Sequence, residues 1–288
     1  MTGAEFFRPT STEEACSLLA RYGADASLLA GGTDLMVAVN QAQRALKVVV
    51  HLGSLGLDNI HATETDLVLG AAATHTAIAR SPLVRDKVPL LAEAVLSIGS
   101  PAIRNMGTIG GNLANASPSA DGSVALLALR ARVKLISTRG ERVVELEDFF
   151  TGSGETVLQP DELLQEVIAP IHDAADQWRW HKLGQRHGSV CAVISVAMAL
   201  RLEEDVCSHA RISMGTVATT PLLARRAGEI LSGHRLDERR VEEAIAAASE
   251  SIPERDGARA TAWYRRRICE VTLRRFLTPV RRPGNEVA

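Results

Sequence analysis

A chain of 288 residues and 30.8 kDa is long enough for two domains, each with its own apolar core. With 46% apolar residues, 23% charged residues and a formal net charge of -2, it makes no bulk electrostatic case for a nucleic-acid or membrane partner. Aromatic residues, at 3%, are too scarce for a base-stacking platform, and no apolar run approaches the roughly 20 residues that span a bilayer.

The opening "MTGAEFFRPTST" lacks a charged segment followed by an apolar core, so no signal peptide is visible and a cytoplasmic location is expected. "TSTEEACSLLARYG" then places Ser11 and Glu14 at capping-box spacing, turns Leu18 and Leu19 inward and closes a helix on Gly23. "SLLAG" and "KVVVHLG" (47–53) read as short strands separated by helical "TDLMVAVNQAQ". The first 53 residues are therefore a β-α-β-α-β unit, a subdomain reaching to about residue 55.

From Asp58 the texture changes. "DNIHATETDLVLGAAAT" predicts two strands around a turn, followed by helical "THTAIAR" and "VPLLAEAVLSIG". A helix "SVALLALRA" and strands "RVKLIST" and "ERVVEL" follow, and Pro160 and Pro170 bracket one more strand in "DELLQEVIA". "HDAADQWRW" reads as polar and turn-like, which puts a domain boundary near residue 175 and a second subdomain at about 56–175. Beyond it, in 176–288, "RWHKLGQRHGSVCAVISVAMALRLEE" and "SHARISMGTVATTPLLA" predict long antiparallel strands with small residues on one face. Helices "PLLARRAGEILSG", "DERRVEEAIAAASES" and "ATAWYRRRICEVTLRRFL" complete an α+β C-terminal domain. In the last of these Tyr264, Ile268 and Val271 form an apolar stripe, and the arginines off it make either a solvated face or a docking face for another subunit.

Two stretches stand out as chemistry. In "LLAGGTDLMV" an apolar strand runs into Gly31 and Gly32, then Thr33 and Asp34, then a helix start; "NMGTIGGNLANASPSAD" repeats the form with Thr108, Gly110, Gly111 and Asn112. Glycine lets backbone N–H groups approach a ligand, and consecutive N–H groups facing one concavity bind anions such as phosphate. Two such loops could grip the two phosphates of a dinucleotide. A tight turn is the plainer reading of either loop alone, with Asp34 a first-turn carboxylate and Asp121 an N-cap. Neither is GxGxxG or GxxxxGK, so the Rossmann and P-loop fingerprints are missing.

In order and about 70 residues apart, "LLAGGTDLM" and "IGSPAIRNMGTIGGNLANASPSAD" resemble the FAD-binding medium subunit of the molybdenum hydroxylases, the xanthine dehydrogenase and carbon monoxide dehydrogenase family. "FFRPTSTEEACSLLARYG", "LVLGAAATHTAIA", "HKLGQR" with "AVISVAMAL", and "ATAWYRRRICEVTLRRFL" extend the likeness over almost the whole chain. The resemblance implies a two-subdomain FAD-binding domain of the vanillyl-alcohol-oxidase (PCMH) type at 1–175, and a smaller α+β domain of antiparallel sheet plus helices at 176–288. It implies that Leu29, Ala30, Gly31, Gly32, Thr33, Asp34 and Leu35, with Thr108, Ile109, Gly110, Gly111 and Asn112, hold the pyrophosphate, chiefly through backbone N–H groups. Asp121 would accept from ribose hydroxyls, Ser117 and Pro118 would shape the adenosine side, Ala73 and Thr74 would lie near the flavin, and Lys182 would stand by the isoalloxazine. An exposed strand lysine is the plainer reading of Lys182.

Departures from the family pattern are informative. Relatives commonly carry an acidic residue three places after the arginine that matches Arg186, and this chain has Ser189 there. The cysteine-bearing insertion of the benzoyl-CoA reductase branch is absent. "AGGTD" lacks the histidine to which relatives of the wider fold attach flavin, so FAD is expected to be non-covalent. Cys16, Cys191, Cys207 and Cys269 show no CxxC, and the eight histidines are dispersed, so no metal site is expected on this chain.

The resemblance thus implies an oxidoreductase subunit. A molybdopterin large subunit would hydroxylate the substrate, a 2Fe–2S small subunit would pass electrons to this chain's FAD, and NAD or another acceptor would take them away. The assembly implied is a heterotrimer or a dimer of heterotrimers. No catalytic acid or base is evident in the sequence. A free-standing flavin oxidase or reductase on the same fold, and a non-catalytic nucleotide-binding adaptor, stay open at this point.

Overall fold

The computed structural model describes residues 3–173, 175–186, 190–254, 256–257 and 259–280. The first unit is the expected alternation: β1 (Glu5–Phe7), α1 (Thr12–Tyr22), β2 (Ala26–Leu29), α2 (Leu35–Asn40) and β3 (Val48–His51), with the strands parallel in the order β1-β3-β2. The Ser11 hydroxyl accepts the Glu14 N–H at 3.2 Å, while Glu14 accepts the Thr10 N–H at 2.9 Å, one residue before the position a capping box predicts. Ala15, Cys16 and Leu19 bury α1 against Val48 and Val50.

The second unit is an antiparallel sheet ordered β4-β5-β10-β6-β7, made of β4 (Ile60–Ala62), β5 (Asp66–Gly70), β6 (Arg132–Ser137), β7 (Gly140–Glu145) and β10 (Leu163–Pro170). Its helices are α3 (His75–Arg80), α4 (Pro82–Lys87), α5 (Pro89–Leu96), α6 (Pro101–Met106), α7 (Ile109–Ala114), α8 (Asp121–Ala128) and α9 (Leu146–Phe149); a hairpin of β8 (Phe150–Gly152) and β9 (Glu155–Thr156) precedes β10. Every residue of α8 is buried, which suits a helix that is apolar on all sides.

The third unit begins where a turn was expected. Asp176–Leu183 is a strand, β11, paired antiparallel with β12 (Ile194–Glu203) from Asp176↔Arg201 to Leu183↔Ile194. The polar reading missed it because Trp178 and Trp180 pack on the central core and Arg201 clasps Asp176 across the ladder at 2.8 Å. The rest is β13 (Val206–Gly215), β14 (Leu222–Leu223), α10 (Arg225–Leu231), β15 (His234–Arg235), α11 (Glu238–Glu250) and α12 (Ala262–Val280). One face of this sheet offers Ile194, Val196, Met198, Ile212 and Met214 to the three helices. The other is small, as expected: a Cβ on Gly215 would stand 2.7 Å from a Val124 methyl of α8, and the Ser213 hydroxyl donates to the Val124 carbonyl at 2.6 Å. That face lets α8 sit flush between the second and third units.

On α12 the buried stripe runs through Arg265, Cys269, Thr272, Leu273, Phe276 and Leu277, not through Tyr264, Ile268 and Val271. Tyr264 is exposed and Ile268 and Val271 are half-buried, because the helix is turned so that the Cys269 face meets Met214. One arginine, Arg265, is therefore on the inside.

Leu126, wholly buried on α8, lies in the central core, whereas Val143 on the edge strand is half exposed. Leu126→Ala is expected to lower the unfolding free energy by about 2–5 kcal/mol, and Val143→Ala by less than about 0.5 kcal/mol. Urea melts of the two variants check the contrast.

Candidate functional site

The first glycine pair falls where β2 ends. Gly32 has φ +69°, and a Cβ on Gly31 would collide with the Met106 carbonyl oxygen, so the two loops touch backbone to backbone. Asn115 Nδ2 closes the contact by donating to Asp34 Oδ1 at 3.2 Å. Asp34 occupies the N-cap position of α2 but makes no side-chain cap bond there; its carboxylate ties the loops together instead. Among the described residues, no backbone N–H from Gly31 through Leu35 donates to another group of the chain.

The second pair is not a turn. Gly110 and Gly111 lie within α7, whose N-cap Thr108 accepts the Gly111 N–H on its hydroxyl at 3.1 Å. The Ile109 and Gly110 N–H groups donate to Ala73 O at 3.0 Å and Ala71 O at 2.8 Å, and the Asn112 N–H donates to Thr108 O at 2.9 Å. Gly110 is glycine because a Cβ there would fall 2.6 Å from the Ala71 methyl. Here the expectation of a second amide cradle is corrected: the amides of residues 109–112 are spent on the strand extension and on the helix, so what this segment offers a ligand is side chains.

Both segments line one cavity of about 730 Å³, a size suited to a large cofactor. Its walls include Ala30, Gly31, Gly32, Thr33, Asp34, Leu35, Thr108, Gly110, Gly111, Asn112, Ser117, Asp121 and Lys182. Leu29, Ala73, Thr74 and Ile109 are not part of that lining. Ala73 and Ile109 are fully buried, and the Thr74 hydroxyl caps α3 by accepting the Ala77 N–H at 3.1 Å. Ser189 lies outside the described residues. Gly107, Asn115, Ser119 and His75 also line the cavity and were not anticipated; the only trace of His75 in the sequence is its place in "ATHTA", between the two glycine motifs.

Asp121 is the first residue of α8 rather than its N-cap, which is Ala120. Lys182 of β11 is not an exposed lysine: its Nζ donates to Asp121 Oδ2 at 2.6 Å and to Ser97 O at 2.8 Å, and the two side chains are 10% and 4% exposed. Burial pushes the Asp121 carboxyl up to about 6, against the lowering pull of Lys182 and Ser195. Burial and the Arg104 cation push the His75 imidazole down to about 4, so it is neutral.

The walls fit a dinucleotide. Asp121 Oδ1 and Asn112 Oδ1 are buried acceptors with no partner among the described residues, and a buried unpaired acceptor is costly until a ligand donor reaches it. Sugar hydroxyls or a base amino group are such donors, and the free N–H run at residues 31–35 suits phosphate oxygens. Among the described residues no group of three or more His, Cys, Asp or Glu is placed to hold a metal, and no helix is long and apolar enough to cross a membrane.

Because Asp121 titrates above the ordinary aspartate range in the folded state, its contribution to stability is complete below that range and is lost as the pH rises through about 6. Asp121→Asn should remove that slope. Urea melts of the cofactor-free chain across this window are expected to show stability falling with rising pH more steeply in the wild type; equal slopes would contradict a buried carboxyl.

Residues 2–172 match the family model described as the FAD binding domain in molybdopterin dehydrogenase, and residues 179–280 match the CO dehydrogenase flavoprotein C-terminal domain. The nicotinate dehydrogenase FAD-subunit of Eubacterium barkeri is 33% identical, covering 97% of each chain. The carbon monoxide dehydrogenase medium chain of Afipia carboxidovorans is 35% identical, covering 94% of each. Among solved structures, reconstituted CO dehydrogenase from Oligotropha carboxidovorans superposes with a TM-score of 0.92 at 32% identity, over 98% of this chain and 99% of that one. Quinoline 2-oxidoreductase from Pseudomonas putida 86 superposes at 0.89 and 28% identity, over 97% of each. The chain therefore belongs to the family of FAD-binding subunits of the molybdopterin dehydrogenases, and it is the FAD-carrying electron-transfer subunit of an oxidoreductase of that kind.

Proposed function

We propose that the cavity between the two glycine segments is the FAD site and that its residues divide the work unequally. The observation that carries this reading is the convergence on one cavity of five unspent backbone N–H groups and two orphaned buried acceptors. Gly31, Gly32, Thr33, Asp34 and Leu35, with Ala30 at the strand end, bind the pyrophosphate through the backbone. Thr108 lines the pyrophosphate end, Asn112 Oδ1 takes a hydroxyl or amino donor of the cofactor, and Gly110 and Gly111 let the helix pack close. Asp121 takes ribose hydroxyls on Oδ1 while Lys182 holds Oδ2, and Ser117 lines the adenosine side.

FAD, when bound, supplies one- and two-electron exchange, and the protein supplies binding, orientation and electrostatics. Lys182 keeps a positive charge in the wall without exposing it to water, and Asp121 fixes where that charge sits. None of these residues is asked to act as an acid or base on a substrate.

The same reading includes a 2Fe–2S small subunit and a molybdopterin large subunit as partners, in a heterotrimer or a dimer of heterotrimers, and NAD or another acceptor for the electrons. It divides the chain near residue 175. The ranges of the two family models support the division, as does an apolar cluster built wholly from residues beyond it. A cytoplasmic site of action accords with cysteines that form no disulfide.

The purified chain, alone or with co-expressed partners, is expected to show a flavin absorption band, and acid precipitation is expected to release the chromophore into the supernatant. A colourless complex after incubation with FAD would refute the site. Colour kept in the pellet would mean a covalent attachment that the sequence does not provide for.

A further inference from the structure

His75 is 3% exposed, and it lines the cavity. Its Nδ1 is buried and has no hydrogen-bond partner among the described residues. Its backbone is fixed on both sides, since the His75 N–H donates to Gly107 O at 3.0 Å and its neighbour Thr74 pairs with Thr108. The imidazole therefore lies at the point where the two glycine segments meet. A Cβ placed on Gly107 would be 3.2 Å from His75 Cδ2 and 3.4 Å from Thr33 Oγ1, so ring and hydroxyl flank the same gap.

Burying an imidazole without satisfying its nitrogen is unfavourable, and an apolar residue of similar size would fill the space at less cost. What favours histidine is a ligand that uses the nitrogen. The ring is neutral because burial and Arg104 of α6 disfavour its cation, so it carries one N–H donor and one acceptor. The unspent amides of Gly31 to Leu35 belong to residues that line the same cavity, Thr33 at this gap among them, and suit an anion.

We propose that His75 is a ligand of the FAD pyrophosphate, donating a hydrogen bond from its imidazole where the two glycine segments meet. The proposal rests on the cavity being the FAD site. It adds to the backbone cradle one side-chain donor that fixes the phosphates in register. Arg104 stands beside it as the nearby cation that favours an anion, its guanidinium donating to Ile98 O at 2.8 Å.

The test measures FAD and ADP affinities of the full-length cofactor-free chain, with ADP reporting the adenosine diphosphate half without the flavin. His75→Leu should weaken both by about tenfold or more, the scale of one lost bond to a charged group, while leaving the thermal midpoint of the free chain unchanged or higher. His75→Gln, which keeps a donor, should recover most of the affinity. Asn112→Leu serves as the control for the site itself. If neither Asn112→Leu nor His75→Leu changes FAD affinity, the cavity is not the site and both readings fall. If Asn112→Leu weakens binding and His75→Leu does not, or if His75→Leu weakens FAD but not ADP, the site stands and the His75 assignment falls. A measurement on the wild type covers the case in which His75→Leu does not fold. The ring nitrogen resonances of ¹⁵N-labelled His75 should shift when ADP is added, and unmoved resonances would overturn the proposal.

Discussion

A buried backbone N–H must find an acceptor, and the architecture of the cavity follows from where those acceptors are. At residues 109–112 they are inside the protein: Ala71 O, Ala73 O, the Thr108 hydroxyl and the Thr108 carbonyl take all four N–H groups. At residues 31–35 none has an acceptor among the described residues. The two segments look alike as sequence, a glycine pair with a threonine beside it, yet one is a packed helix start and the other an open arc of donors. The close contact of Gly31 with the Met106 carbonyl sets the open arc directly against the packed segment, so side-chain acceptors and backbone donors face one cavity.

The second dependence is on α8. It is buried on every side, between helices α5 and α7 and the small-residue face of the third sheet, and it begins with Asp121. Lys182 comes from that third sheet, so the Lys182–Asp121 pair forms across the seam between the two units. A buried ion pair is weak evidence for stability, because desolvation offsets the attraction, whereas removing one partner costs about 3–5 kcal/mol. Its placement on the cavity wall accounts for it better than stability does: one carboxylate oxygen is held by the lysine, and the other has no partner among the described residues. The electron-transfer chemistry belongs to the cofactor, and the seam holds a charged pair on the cavity wall in a fixed geometry.

Much of this was legible in the sequence, and the rest was hidden for physical reasons. The β-α-β-α-β opening, the Ser11 cap, the strand between Pro160 and Pro170 and the small face of the antiparallel sheet all follow from local pattern. The strand from Asp176 was not legible, because its polar residues are paired only across the sheet, Asp176 with Arg201. The buried stripe of α12 was misread because a helix with apolar residues on several faces does not announce which one meets the sheet. In the site, Gly31, Asp121 and Lys182 could be named, but the pairing of the last two spans 61 positions and no spacing rule reaches it. Nor does sequence distinguish an N–H that is spent from one that is free, which is why Gly110 and Gly111 looked like a second cradle. His75 went unnoticed for the same reason, since an orphaned nitrogen is a property of its surroundings.

On the proposed division of work, residues 31–35 give their backbone N–H groups to FAD and residues 109–112 do not. Hydrogen–deuterium exchange of the full chain with and without FAD, followed by mass spectrometry, tests it directly. The account predicts that the amides of Gly31 to Leu35 exchange fast in the free chain and gain strong protection with FAD, whereas those of Ile109 to Asn112 are protected already and change little. Equal gains in both segments, or protection confined to residues 109–112, would contradict it.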